Sequence, residues 1–237
     1  MFASITEFRV PPRLIPYTSE SQAGIEAFLE GREKDLLVEL LGRPLYDELV
    51  TYWNSLPYEF DAETVYAVDE EVFFGNHVYK CLVITAAGES PTTDPAKWEL
   101  QTDTKWLKLL YGDPYEYSGI TYNFPGLAES LLEGLYAEYL DKYEAYTVSG
   151  NGVTQPYNEN STVVSPDQLI CAHWDKYWIA CSGDVIGYIS QRNSLYGYLI
   201  SVEADFVAFA QALGYQSFQS YLDYNYGDPG SKNVFGL

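Results

Sequence analysis

The sequence predicts a mainly α protein: a helical bundle with a small three-stranded β insert and, further on, a β-hairpin or long loop. Leucines and aromatics recur at helical spacing over 25–41 and again over 127–143. Between about 60 and 101 the pattern shortens, and β-branched and aromatic residues take over. At 237 residues, 47% hydrophobic and 16% aromatic, the chain can build one domain with a modest insertion around a sizeable core. Such a composition lies far from that of disordered chains.

Residues 1–20 hold Pro11, Pro12 and Pro16 and are expected as an extended N-terminal arm. Ser19 and Gln22 have capping-box spacing, so a helix should begin there. Ile25, Phe28, Leu29, Leu36, Leu37, Leu40 and Leu41 form its apolar face, with Gly31 expected to bend it and Gly42 to end it. Pro44 opens a second helix carrying Leu45, Tyr46, Leu49 and Trp53. The helical core is assigned to 21–59 and 102–214, and the β insert to 60–101. In the insert, Gly75-Asn76 turns the chain between Val72-Phe73-Phe74 and Val78-Tyr79, and Trp98-Glu99-Leu100 closes it.

Thr102 or Asp103 is expected to cap a short helix through Leu110. The stretch GDPYEYSGITYNFPG then reads as a loop. Leu127, Leu131, Leu132, Leu135, Tyr139 and Tyr143 follow as one broad apolar stripe. Ser149-Gly150-Asn151-Gly152 marks a polar hairpin or long loop over 147–165. Ser165-Pro166-Asp167-Gln168 has the order of a helix start, and that helix should pass Trp174 and Trp178 on the way to Ser194, with a bend at Gly183 or Gly187. Ser201 is expected to cap a last helix with Phe206, Phe209 and Leu213, ended by Gly214. Residues 215–237 are left as a Tyr-rich C-terminal tail.

Charge and motif content narrow the function. Thirteen Lys and Arg against 34 Asp and Glu give a formal charge of −21, a poor match for phosphate backbones. No apolar run reaches the length of a membrane span, and MFASITEFRVPPR lacks the pattern of a signal peptide. Cys81, Cys171 and Cys181 make neither a disulfide framework nor a CxxC pair, so reduced thiols are expected. Cys171, His173 and Cys181 lie close in sequence, but at helical spacing the two cysteines project differently; a packed or surface His173 is preferred to a metal ligand. GxSxG, HExxH and GxxxxGK[ST] are all missing. Among 34 acids, pairs such as Glu129 with Glu133, or Asp69, Glu70 and Glu71, arise by accident, and Glu129 and Glu133 read as a solvated face. No catalytic residue, metal or cofactor is assigned, and no enzymatic activity is expected.

The 23 tyrosines are the most unusual number; Tyr offers contact area with a polar tip, as protein contacts and sugar sites both use. In the insert, Tyr66-x-x-Asp69-Glu70-x-Val72-x-Phe74-Gly75-Asn76-x-x-Tyr79, then Pro91 and Trp98, resembles the chitin- and cellulose-binding modules of families 5 and 12. It departs from them at Asp69, where those modules carry glycine. The resemblance implies that Tyr66, Phe74, Tyr79 and Trp98 are glycan-stacking or docking aromatics. The competing reading, which so small a fold favours, makes Tyr66, Tyr79 and Trp98 its core.

A second resemblance covers the helical frame. Ile25, Phe28, Leu29, Asp35, Leu36, Leu40, Leu41, Gly42, Leu45, Tyr46 and Leu49, within IEAFLEGREKDLLVELLGRPLYDELV, resemble the opening of head–tail connector proteins of tailed phages infecting Bacteroidetes, of the crAss-like type. Ala27 stands where that pattern has proline. A later block fits too: Tyr139, Tyr143, Tyr146-Thr147, a Gly-containing turn, Glu159-Asn160-Ser161 and Ser165. The resemblance implies a structural virion protein made in the host cytoplasm and placed in the neck. It implies a homo-oligomeric adaptor ring, commonly of about twelve copies, between portal and tail. The portal, further neck, tail or fibre proteins and the chain itself would be its partners, with no membrane. DNA would pass during genome ejection without specific binding, helped by like charge. Tyr139, Tyr143, Tyr221, Tyr224, Tyr226 and Phe235 are the candidate partner contacts. The alternative is a carbohydrate-binding protein using the insert 60–101.

Overall fold

The computed structural model describes residues 9–10, 13–14, 22–117, 119–141, 166–182 and 195–226. Helix predominates among them, with three small antiparallel sheets. The chain divides into two compact units, Met1–Gly42 with Asp113–Leu237, and Arg43–Gly112. The second is wider than the insert 60–101 read from sequence, because the flanking helices group with the sheet.

In the first unit, β1 (Arg9–Val10) pairs antiparallel with β2 (Arg13–Leu14), Arg9 opposite Leu14. Helix α1 (Gln22–Leu41) buries Ile25, Phe28, Leu29, Leu36, Leu37, Leu40 and Leu41 along the expected face. Gly31 does not interrupt it: the helix runs through. A Cβ at Gly31 would meet nothing within 4 Å. Gly31→Ala should therefore raise stability by about 0.5–1 kcal/mol, since alanine lowers the entropy of the unfolded chain at no steric cost. Urea denaturation checks this, and a loss of stability would contradict it. Gly42 does end α1, at φ 73°, with its N–H donating to Val38 O at 2.9 Å.

GDPYEYSGITYNFPG is a hairpin where the sequence predicted a loop. β6 (Asp113–Tyr117) and β7 (Ile120–Phe124) pair antiparallel, with Tyr115 opposite Tyr122. Glycine and proline obscured a period-two pattern that places Tyr115, Tyr122 and Phe124 on one side. Their rings pack: Tyr115 on Tyr122 at 5.7 Å, and Phe124 on Tyr198 at 4.8 Å. Helix α4 (Leu127–Tyr139) is buried over most of its circumference and packs on α1 and, more extensively, on α5 (Pro166–Ser182). Pro166 is the first residue of α5, as its start signal predicted; Ser165 and the reach toward Ser194 lie outside the described residues.

The C-terminal region departs most from expectation. Ser201 caps nothing: it ends α6 (Leu195–Ser201), its hydroxyl donating back to Tyr198 O at 2.6 Å. Val202 precedes α7 (Glu203–Ala212), whose first turn carries Glu203 and Asp205 against the positive end of the helix. Gly214 follows at φ 90°. The tail 215–237 then contains a helix, α8 (Phe218–Tyr226), with Phe218, Tyr221 and Leu222 fully buried. Phe206 stacks on Phe218 at 4.8 Å. Tyr221 OH donates to Leu41 O at 2.6 Å, satisfying one of the carbonyls that the end of α1 leaves without a helical partner.

In the second unit, α2 (Arg43–Ser55) buries Leu45 and Leu49, with Pro44 in its first turn. β3 (Glu71–Phe74), β4 (His77–Cys81) and β5 (Trp98–Leu100) form the predicted sheet in the order β3-β4-β5. Gly75 and Asn76, at φ 57° and 71°, make the two-residue turn that seats Phe74 opposite His77. Helix α3 (Lys105–Tyr111) is capped by Thr104, whose hydroxyl accepts from Leu107 N–H, and not by Thr102 or Asp103. No helix among the described residues is long and apolar enough to cross a membrane.

Candidate functional site

The aromatic insert settles around Phe60, a residue the sequence pattern did not single out. Tyr66, Phe74 and Trp98 approach its ring at 5.5, 5.4 and 6.1 Å, and Tyr66 meets Trp98 at 5.5 Å. Tyr66 and Trp98 are 9% and 5% exposed, packed with Val72 and Cys81. Both polar tips are spent inside: Tyr66 OH accepts from Asp61 N–H at 2.7 Å, and Trp98 Nε1–H donates to Glu89 O at 3.1 Å. A ring stacked on a sugar must present a face to solvent, so Tyr66 and Trp98 are corrected to core residues. Phe74 and Tyr79 are half-buried, with Tyr79 edge-on to Phe74 at 6.4 Å. Just before the insert, Tyr58 is 94% exposed.

The candidate partner contacts also separate. Tyr139 is buried, edge-on to Phe28 at 6.0 Å, and Tyr221 is buried against Phe209, Tyr215 and Phe218. Both are corrected to internal packing residues, since each already contributes its area within the first unit. Tyr224, 76% exposed, remains on the surface. Tyr226 ends α8, and Tyr143 and Phe235 lie outside the described residues.

A buried polar cluster joins α4 and α5. His173 Nδ1–H donates to Glu133 Oε2 at 2.5 Å, and Lys176 Nζ lies 3.4 Å from the same oxygen. The side chains of His173 and Glu133 are 4% and 8% exposed, and Tyr136 meets the imidazole edge-on at 4.7 Å. Glu133 is therefore not part of a solvated face; Glu129, four residues earlier, is exposed. The carboxylate is inside because α5 supplies two donors to it, a signal forty residues away that local spacing does not carry. Cys171 is exposed and Cys181 buried, its thiol pushed up by desolvation. Among the described residues no three His, Cys, Asp or Glu side chains could hold a metal ion.

A cavity of about 290 Å³ is lined by Phe28, Arg32, Glu138, Asp141 and Trp174. Arg32 Nε and Nη2 each donate to a Glu138 oxygen at 2.6 Å, a two-pronged bond that raises the guanidinium's pKa; a further bond goes to Asp35 at 2.9 Å. The ion pairing holds α1 to α4 and ties up Arg32 and Glu138, two of the three charged residues of the cavity lining. Asp69, Glu70 and Glu71 stay at the surface: Asp69 pairs with Lys80 at 2.6 Å, and Glu70 accepts from Ala67 N–H.

Exposed apolar side chains concentrate in the second unit. Val65, Val68, Leu82, Val83, Ile84 and Leu100 are each about half exposed. Local spacing gave no sign that these residues would be left uncovered. Comparison with family models, with curated proteins and with solved structures finds no match.

Proposed function

We propose that this chain is a structural subunit of a tailed-phage neck, joining with copies of itself in a ring between the capsid portal and the tail that extends the DNA channel. The observation that carries this reading is the stretch 25–50. Its quoted apolar positions Ile25, Phe28, Leu29, Leu36, Leu40, Leu41, Leu45 and Leu49 are all buried, and Gly42 takes the left-handed conformation that separates α1 from α2. The pattern shared with connector proteins is thus a packing pattern with no reacting group in it, as a structural role requires. The charge of −21 supports the reading, because a channel of like charge lets DNA slide. The carbohydrate-binding alternative loses Tyr66 and Trp98, which are inside, and keeps only the half-buried Phe74 and Tyr79 of its four stacking candidates.

Light scattering on the purified chain, alone and with the portal protein of the same genome, tests the proposal. The expected result is a species near twelve times the 26.8 kDa protomer mass, about 320 kDa, or co-elution with the portal. A monomer that ignores the portal overturns it.

A further inference from the structure

We propose that the cavity of about 290 Å³ in the first unit binds a small organic cation, an ammonium or guanidinium group on a short alkyl stem. The site goes beyond the neck reading and stands whether or not copies of the chain close into a ring. Phe28 and Arg32 come to it from α1, Glu138 from α4 and Trp174 from α5. Asp141 joins them from two residues beyond the last residue of α4. The volume is at the lower edge of small-molecule sites, room for one side chain or a small amine and too little for a nucleotide. Both rings are held in place, Phe28 edge-on to Tyr139 at 6.0 Å and Trp174 edge-on to Tyr177 at 5.4 Å.

Charge sets the sign of the ligand. Arg32 is the cation of the lining and is already answered: Nε and Nη2 donate to Glu138 at 2.6 Å, and Nη1 donates to Asp35 at 2.9 Å. Asp141 is left over, since its carboxylate has no hydrogen-bond or ion-pair partner among the described residues. Counting Asp35, the site and its border hold one positive group and three negative ones, so anions are repelled and cations drawn in. Lys176, two residues after Trp174 on α5, lies 3.4 Å from Glu133 and is engaged there. The aromatic residues then select an organic cation over a metal ion. A tryptophan ring attracts ammonium and guanidinium groups more strongly than other aromatics do. A divalent metal ion needs several oxygen ligands, and among the described residues no three His, Cys, Asp or Glu side chains could hold one. An alkyl stem is shielded by Phe28 and Trp174 while its charged end meets Asp141.

The test uses the full chain in about 150 mM salt, which screens the scattered surface carboxylates. Butylguanidinium and butylurea, its neutral counterpart of nearly the same shape, are titrated by saturation-transfer NMR. Butylguanidinium is expected to bind at least about fivefold tighter, and butanesulfonate is expected not to bind. Asp141→Asn, at an exposed position, should weaken butylguanidinium several-fold at unchanged melting temperature. Trp174→Leu keeps an apolar wall but removes the ring, so it should weaken butylguanidinium several-fold and leave butylurea unaffected. Arginine capped at both ends separates two sources of the same chemistry. Binding as tight as that of butylguanidinium assigns the site to a side chain of a protein partner, and several-fold weaker binding assigns it to a free amine. Equal affinity for butylguanidinium and butylurea, or full binding by either variant, overturns the proposal. Binding of butanesulfonate also overturns it, by making Arg32 the recognising group.

Discussion

Replacing His173 with alanine should cost about 3 kcal/mol of stability. The Glu133 carboxylate sits between α4 and α5, with a side chain 8% exposed, and His173 Nδ1–H donates to it at 2.5 Å. Removing one partner of a buried pair leaves the other's charge desolvated, and such breaks cost about 3–5 kcal/mol. The low end applies here because Lys176 Nζ remains 3.4 Å away and is itself 55% exposed, so it can follow the carboxylate. In a chain of this size the loss corresponds to a fall of about 6–12 °C in Tm. Glu133→Met combined with His173→Leu should recover most of it, because no charge is then left buried. Thermal and urea denaturation of Glu133→Met, of His173→Leu and of the double variant form the cycle. Additive losses in that cycle would show that the pair is not coupled.

Gly134→Ala should also destabilise, although alanine is the better helix former. A Cβ at position 134 would lie 2.8 Å from Cδ2, 3.0 Å from Cε2 and 3.1 Å from Cγ of Tyr177. Those atoms include the base of the ring, and Tyr177 is 2% exposed, so the ring cannot swing aside. Forcing one methyl into three such contacts costs about 2–3 kcal/mol, the upper part of the overpacking range, from which about 1 kcal/mol of helix propensity must be subtracted. A net loss of about 1–2 kcal/mol is expected, read as a lower urea midpoint at unchanged m-value. Pairing Gly134→Ala with Tyr177→Leu should cost less than the sum of the two single changes. If Gly134→Ala were neutral or stabilising, the close approach of α4 and α5 at this point would be wrong.

Gly31 and Gly134 show where sequence reasoning reaches its limit. Both are glycines inside helices of periodic leucines; the sequence reading expected Gly31 to bend its helix and gave Gly134 no role. One faces open space and the other the ring of Tyr177, so alanine is expected to stabilise at the first and destabilise at the second. The same division runs through the candidate sites. Tyr66 and Trp98 had two readings in sequence, sugar platform and small core. The position of Phe60, brought back by a parallel bridge of Glu59 to Phe73, decides for the core. Tyr139 and Tyr221 differ from Tyr224 only in which side of a helix they occupy relative to neighbours far along the chain.

What the sequence alone determined is what depends on near neighbours. Helix periodicity set α1, α2 and α4, the Gly75-Asn76 pair set the β3–β4 turn, and the Pro166 start set α5, because hydrogen bonds within a helix or tight turn join residues a few positions apart. Composition settled the acidic surface and the absence of the familiar nucleophile and phosphate-cradling motifs. The tertiary structure decided the β6–β7 hairpin, the helix within the tyrosine-rich tail, the burial of Glu133 and the burial of Tyr66. Each depends on a contact between distant segments: Phe124 with Tyr198, Tyr221 with Leu41, Glu133 with His173, Tyr66 with Thr85. Burial is a property of such pairings, since a side chain is removed from water only when another part of the chain arrives to cover it.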